Sequence, residues 1–423
     1  MSAAVTAVTQ RRSRPHPLVV LLRALVVLAL VAALLLGLAV AFAPAPSVAP
    51  RAVAAPQPEA APVAVAWPEG ARSAGYAVAG FEGAIESWGS EEAHPMASVT
   101  KLATVLIVLE AHPIEGDSRG AEIALDADDV RAQGRAIADN APIAPVYDGM
   151  VVTQRDLIEW SLVDSAGNAV WSLANWAFGS IDGFLAAADA WADRHDLAHT
   201  SLADPAGLSA QSVSSAADLT RIGLMAVDDP VVLATLQLES VTIPGIGYAP
   251  NTNRILGEGD VDGGKTGTLK VWGRNLLVTA ERLVDGERRR VVAVVMGTIT
   301  AEEIDAQMLA LVESLWTGFA RREVLPEGTV VAEYVAPWGA RVEARTQTAL
   351  EADAFGEVVP SATVAVDEAI EPGRPRGEVG SASVTELSGE TRTTSVRTTG
   401  MLAEPDLAWR AAHPLDALAW YLD

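Results

Sequence analysis

Ser98 and Lys101 stand three residues apart in Ala97-Ser98-Val99-Thr100-Lys101-Leu102, at the head of a stretch apolar at helical spacing through Leu102, Val105, Leu106 and Leu109. Their side chains therefore lie on one helix face, one turn apart. A hydroxyl beside an amine makes a nucleophile and its base. Burial against Leu102 and Val105 disfavours the ammonium, and the helix N-terminus favours negative charge developing nearby. A solitary Ser-x-x-Lys is far more often an N-cap serine followed by a solvated lysine, so its meaning rests on partners further along. Gly264-Lys265-Thr266-Gly267-Thr268 supplies one. Alternation along a strand puts Lys265 and Gly267 on one face and Thr266 and Thr268 on the other. Glycines on an edge-like strand let a substrate backbone lie alongside, with Lys265 offering fixed positive charge to a carboxylate. Ser165, in Ser165-Ala166-Gly167-Asn168, falls between the two and could relay a proton from Lys101 to a leaving amine. The thirty basic residues include three lysines, Lys101, Lys265 and Lys270. Two of them sit in these motifs, and lysine alone among the cations can lose its proton near neutral pH.

Other chemistries find less support. There is no cysteine, which excludes disulfides, thiolate metal sites and a cysteine nucleophile. His195 and His199 are i, i+4 on an expected helix, yet no third ligand accompanies them, and a solvated face explains them better. Glu91-Glu92 could suggest a glycosidase pair, but among 54 acids such a pairing is uninformative. The net charge is −24, and every acid lies beyond residue 58, so the body repels nucleic acid. No metal or organic cofactor is implied.

The elements that must hold these residues are readable from periodicity. Gly75 to Gly80 and Gly83 to Trp88 read as strands leading into the helix Ser98 to Ala111. Segments between Asp117 and Ala190 read mostly as helices, as does Leu219 to Ala226. Asp262 to Thr298 reads as a strand meander, with Asp285-Gly286 as a hairpin turn. A closing helix from Ala301 to Ala320 carries Ile304, Met308, Leu311, Leu315 and Phe319 on one stripe. Strands, helices, strands and a helix imply an α+β sandwich. Beyond Pro326, short alternating runs such as Thr329 to Ala336 and Arg341 to Thr346 predict a small β-rich C-terminal domain. The end, Pro405 to Asp423, is expected to pack rather than to lie on a membrane.

At the other end, Ala24 to Ala43 is unbroken apolar sequence, long enough to span a bilayer. Arg11, Arg12, Arg14 and Arg23 precede it, which leaves the N-terminus inside and the body outside. The preferred reading is a retained single-pass anchor on the extracytoplasmic face, with a cleaved signal ending near Ala43 as the alternative. The Pro/Ala-rich stretch behind it reads as an extended tether. The expected units are a basic segment 1–17, an anchor or signal 18–43, a linker 44–68, the body 69–322 and the β-rich domain 323–423.

In order and spacing, Ser-x-x-Lys, Ser-x-Asn and Lys-Thr-Gly resemble the motif set of penicillin-binding proteins and class A β-lactamases. The strongest likeness is to the serine D-alanyl-D-alanine carboxypeptidases. Thr200 to Leu208 resembles their Thr-x-Phe-x-Asn-x-x-Gly-Leu segment, with Asp204 for Asn, and Ser215-Ala216-Ala217-Asp218-Leu219 resembles the helix entry that follows. The resemblance covers about Ala71 to Arg322. It implies a β-lactamase/transpeptidase-like sandwich, an antiparallel sheet with a helical subdomain, acting on peptidoglycan stem peptides and acylated by β-lactams. It also implies that Ser98 is the acylated nucleophile, Lys101 the general base and Ser165 the relay, while Lys265 holds the substrate carboxylate beside Thr266, Gly267 and Thr268. The backbone N–H groups of Ser98 and Thr268 would form the oxyanion hole. One departure stands out: the third position of Ser-x-Asn is Gly167, and the expectation is that Asn168 reaches the substrate through a bulge that glycine permits. Two alternatives follow: a catalytically weakened wall-binding homologue, motivated by Gly167 and the extra β-rich domain, and a class A β-lactamase. The latter needs a deacylating glutamate, and only Glu239 and Glu258 lie between Ser165 and Lys265, neither in a suitable context.

Overall fold

The computed structural model describes residues 16–81, 83–375, 377–386 and 389–422; Arg11, Arg12 and Arg14, and most of the basic segment, lie outside them. Five antiparallel strands form the central sheet, in the order Val261–Leu269, Gly273–Val284, Glu287–Thr298, Ser73–Val78, Ile85–Gly89. The hairpin between the second and third turns at Asp285 and Gly286, with φ of 51° and 88°. Paired positive φ values match the twist of the flanking strands. Both faces of the sheet are covered at its middle, so Leu276–Ala280 and Val291–Met296 read as near-continuous apolar runs. Leu276, Val278, Ala293 and Val295 face the helix Ala301–Leu315 through Ile304, Met308, Leu311 and Leu315. Leu277, Val292, Val294 and Met296 face the opposite layer of helices. The closing helix ends at Leu315, earlier than its periodicity suggests. Phe319 opens the strand Phe319–Leu325 instead, where its ring packs on Phe355 and Trp316.

The helix Thr100–Ala111 runs through the middle of that helical layer and is buried from Thr100 to Leu109. A helix apolar all round has no solvent face to offer, so its position is dictated by composition. Around it stand the helices Ala127–Ala138, Gln154–Leu162, Gly167–Phe178, Ile181–Arg194 and Ala216–Asp228. All but Gly167–Phe178 start at a capping side chain. Asp126 and Thr153 each form a reciprocal capping box, Ser180 accepts from Gly183 N, and Ser215 accepts from Asp218 N. The expected His195/His199 pair is not on one helix, because the chain leaves the helix at Arg194; His195 Nε2 bonds Glu110 instead.

A second sheet follows the body. Its order is Pro50–Ala52, Val330–Val335, Arg341–Thr346, Thr391–Thr398, Glu378–Thr385, Thr363–Ala365, with its own apolar core from Val324 to Leu402. A two-stranded ribbon, Phe319–Leu325 with Leu350–Phe355, joins the two cores, so the boundary placed at 322 and 323 falls inside a strand. The linker expectation also needs correction. Pro50–Ala52 is an edge strand on Val330–Val335, Val48 bridges Ile370, and Val63, Val65 and Trp67 pack on the outer face of the central sheet. Val63, Val65 and Trp67, at every second position, dock the end of a segment whose prolines suggested an extended tether.

The helix Pro17–Ala41 is long and apolar enough to cross a membrane. Two short helices, Leu407–Ala412 and Pro414–Ala419, pack against its C-terminal end, with Ala417 against Val40 and Ala43.

Candidate active site

Ser98 sits in a single 3-10 turn, Ala97–Val99, that feeds directly into the buried helix. Ala97 is held at φ 51°, a left-handed conformation that costs a side-chain-bearing residue about 1–3 kcal/mol and persists where the surroundings enforce it. The surroundings are visible. Gly207, at φ 69°, leans so closely that a Cβ on it would lie 1.9 Å from Ala97 O and 2.5 Å from Thr100 Oγ1. A Cβ on Gly267 would lie 2.8 Å from Met96 O and 3.0 Å from Ser98 N. Glycine at both positions lets the strand and the 204–208 loop close on the serine turn.

Lys101 Nζ lies 2.7 Å from Ser98 Oγ and donates to Ala206 O at 2.9 Å. Its side chain is fully buried, and burial pulls its pKa down to about 7, with the Asp204 carboxylate opposing the shift. Asp204 also builds the loop: its carboxylate accepts from Ala206 N (2.8 Å), Leu208 N (3.2 Å) and Ser209 N (2.8 Å). The loop's donors being satisfied there, its carbonyls turn to the helix, Ala206 O to Lys101 and Pro205 O to Thr104 Oγ1 at 2.8 Å.

Ser165 precedes its helix with φ 68° and is buried. Lys265 Nζ donates to Ser165 Oγ at 3.0 Å and to Thr266 O at 3.1 Å. Lys265 differs from its expectation as a fixed positive charge. It is fully buried, and burial first, then the charge of Lys101, hold its pKa well below the ordinary lysine value. The strand Val261–Leu269 is one of the two edges of the sheet. Along it Lys265 and Gly267 face inward, Thr266 bonds Thr252 Oγ1 at 2.9 Å, and Thr268 is exposed opposite Arg274.

Asn168 does not join this cluster. It lies in the first turn of Gly167–Phe178, fully buried, with Oδ1 accepting from Ala144 N at 2.9 Å and Nδ2 donating to Ala144 O at 2.7 Å. No bulge forms at Gly167, whose N–H donates to Pro142 O and whose open side faces Ala136 and Ala141. Helix formation at Gly167 turns Asn168 toward the 139–147 loop, and the Ser-x-Asn amide expected at the substrate is absent from its usual position. Sequence reasoning passed over Ala206, which acts through its carbonyl and carries no side-chain signal. It also passed over Thr252 and Asn275, whose types are unremarkable out of context. Among the described residues no group of three or more His, Cys, Asp or Glu could hold a metal ion.

A buried lysine against a serine at a helix start, a second serine–lysine pair and a free strand edge define a serine acyl-transfer centre. The family model described as D-alanyl-D-alanine carboxypeptidase matches residues 85–300, and the chain belongs to that family. It is 29% identical to D-alanyl-D-alanine carboxypeptidase DacD of Salmonella typhimurium over 242 residues, 56% of this chain and 60% of that protein. It is 31% identical to a D-alanyl-D-alanine endopeptidase of Pseudomonas aeruginosa over 132 residues, 30% and 38% of the two chains. The chain thus spans about 60% of the length of DacD. Among solved structures, penicillin binding protein 6B from Escherichia coli aligns with TM-score 0.56 and 22% identity over 84% of this chain and 99% of that one. Penicillin binding protein 5 from Haemophilus influenzae aligns with 0.55 and 20% over 83% and 100%. The fold is that of the penicillin-binding carboxypeptidases, an α+β sandwich followed by a β-rich domain.

Proposed function

We propose that this chain is a serine D-alanyl-D-alanine carboxypeptidase that removes the terminal D-alanine from peptidoglycan stem peptides and is acylated by β-lactams. The stem peptide lies along the edge strand at Lys265–Thr268. Ser98 Oγ attacks the carbonyl of the penultimate D-alanine while Lys101 takes the hydroxyl proton. The oxyanion is held by the N–H groups of Ser98 and Thr268, a kind of contact worth about 2.7–4 kcal/mol when one donor is removed. The C–N bond then breaks, and the departing amine receives the proton from Lys101 by way of Ser165. Water hydrolyses the ester and restores Ser98. The substrate carboxylate brings a negative charge to Lys265 and raises its pKa, so that site charges on binding. The residues act from outside the membrane, with Pro17–Ala41 as a single-pass anchor.

The observation that carries this reading is the 2.7 Å approach of Lys101 Nζ to Ser98 Oγ with the lysine fully buried. Its test is to incubate the protein with a labelled penicillin and map the adduct. The expected site is Ser98, with Ser98→Ala unlabelled; labelling elsewhere overturns the assignment.

A second reading is favoured by Gly167 and by the buried, committed amide of Asn168. Without an amide at the substrate, the chain would bind stem peptides and turn over weakly. The two readings part on D-alanine release from a peptide ending in D-alanyl-D-alanine: sustained release supports the carboxypeptidase, while labelling by penicillin without release supports the wall-binding homologue.

A further inference from the structure

The second strand of the central sheet places Asn275 directly opposite Gly267 in the ladder. Side chains of directly opposed residues share one face of the sheet. On that face Gly267 offers no side chain, and its emptiness lets Met96 O and Ser98 N come up against the strand. Asn275 fills the space with hydrogen bonds. Its Nδ2 donates to Pro95 O at 2.8 Å and to Met96 O at 2.9 Å, and its Oδ1 accepts from Gly297 N at 3.0 Å and from Trp272 Nε1 at 3.1 Å. Both donors and both acceptor sites of one amide are used, at a residue 2% exposed. The three segments it joins are the run entering the serine turn, the end of the central strand, and the turn closing the Lys265–Thr268 hairpin. Trp272 in that turn is itself held, with its ring stacked on His94 at 4.5 Å and the Arg72 guanidinium 4.7 Å from its centroid.

We propose that Asn275 is a positioning residue for the acylation reaction, clamping the serine turn to the Lys265–Thr268 strand and so setting the separation of the two oxyanion N–H groups. This rests on the carboxypeptidase reading above. Pro95 and Met96 immediately precede Ala97, whose left-handed backbone must be enforced, and a turn released at Met96 relaxes Ala97 and carries Ser98 N away from Thr268 N. Among the described residues no other side chain bonds Pro95 O or Met96 O. The clamp acts on geometry developed in the transition state, so its removal lowers the rate of bond formation and leaves initial binding alone.

The test uses the full chain in detergent and stopped-flow acylation by a fluorescent penicillin, resolved into the dissociation constant of the initial complex and the first-order acylation constant. Asn275→Ala and Asn275→Asp are expected to lower the acylation constant at least thirtyfold. In Asn275→Asp, a carboxylate oxygen would face two carbonyls. The dissociation constant is expected to stay within threefold, and the pH inflection from Lys101 to stay where the wild type has it. Trp272→Phe, which deletes one bond to the amide on a partly exposed turn, is expected to slow acylation three- to tenfold with the same split. Acylation constants within threefold of wild type in the folded Asn275 variants overturn the proposal, as does a loss confined to initial binding. Should the Asn275 variants not fold, Trp272→Phe decides, and a wild-type rate there overturns it. If the wild-type chain itself takes no label on Ser98, it is the carboxypeptidase reading that fails.

Discussion

On the proposed carboxypeptidase reading, Lys101 sets the pH behaviour of the site, as the group whose charge must change before Ser98 can lose a proton. Its pKa, pulled down to about 7 by burial, leaves half of the molecules with a neutral amine at that pH. Below it the ammonium has no lone pair to receive the Ser98 proton; above it the amine is free. The acylation constant is therefore expected to fall about tenfold per pH unit below 7 and to level off above, measured by penicillin acylation across pH 5 to 9. A flat profile through pH 7 would remove Lys101 as the base. Lys101→Arg is expected to abolish the reaction, since the guanidinium keeps its proton throughout. The sign for stability runs the same way. Between about 7 and the ordinary lysine value of 10.5, the unfolded chain binds more protons than the folded one, so burying Lys101 costs least at the alkaline end of that window and most below 7.

The loop 204–208 is the element that makes a buried lysine useful, and its weak point is Gly207. At φ 69° and with Ala97 O at 1.9 Å from a built Cβ, an alanine is strained in its backbone and collides with a carbonyl that cannot swing aside. Gly207→Ala is expected to lower acylation at least a hundredfold and to destabilise the fold by about 1–3 kcal/mol, read from the same acylation assay together with urea unfolding. Near-normal acylation would mean that the loop does not fix the serine turn. Such a contact explains what the sequence could and could not disclose. That Ser98, Lys101, Ser165 and Lys265 belong to one candidate cluster was legible because their types are rare in combination and their spacing follows helix and strand periodicity. The strands Gly273–Val284 and Glu287–Thr298 were legible because their middles are buried on both faces, and the Asp285-Gly286 turn because its conformation demands those residues. The direction of Asn168 was not legible, since one residue of helix start decides which side an amide faces, and the deciding bonds come from Ala144, 24 positions earlier. The charge of Lys265 was hidden for a similar reason, as its burial depends on helices distant in sequence.

At the scale of the whole molecule, the segment 44–68 ties the apolar helix to the body by more than its covalent bonds. Pro50, Arg51 and Ala52 pair with Tyr334, Glu333 and Ala332, and Val53 N donates to Val331 O. At the helix end, Arg410 Nη1 donates to Ala43 O at 2.5 Å and Tyr421 OH to Ala39 O at 3.0 Å. Trp420 stacks on Trp409 at 5.5 Å and meets Trp338 at 5.8 Å, so the C-terminal helices are bound to the β-rich domain as well as to the apolar helix. Between these two anchorages and the docked Val63, Val65 and Trp67, residues 54–62 are mostly exposed and belong to no strand or helix. Proteolysis of exposed irregular backbone is expected to cut there and to spare 43–53. A cut in that window severs the chain but leaves the edge strand in its sheet and the C-terminal helices on the apolar helix. In membranes from cells making the full chain, a single cut within 54–62 is therefore expected to leave the body sedimenting with the membrane until denaturant is added. Removing residues 405–423 before the same cut is expected to raise the released fraction several-fold. Prompt release of the intact-chain body after that one cut would show that the N-terminal segment is a free tether and that the β-rich domain has no hold on the helix end.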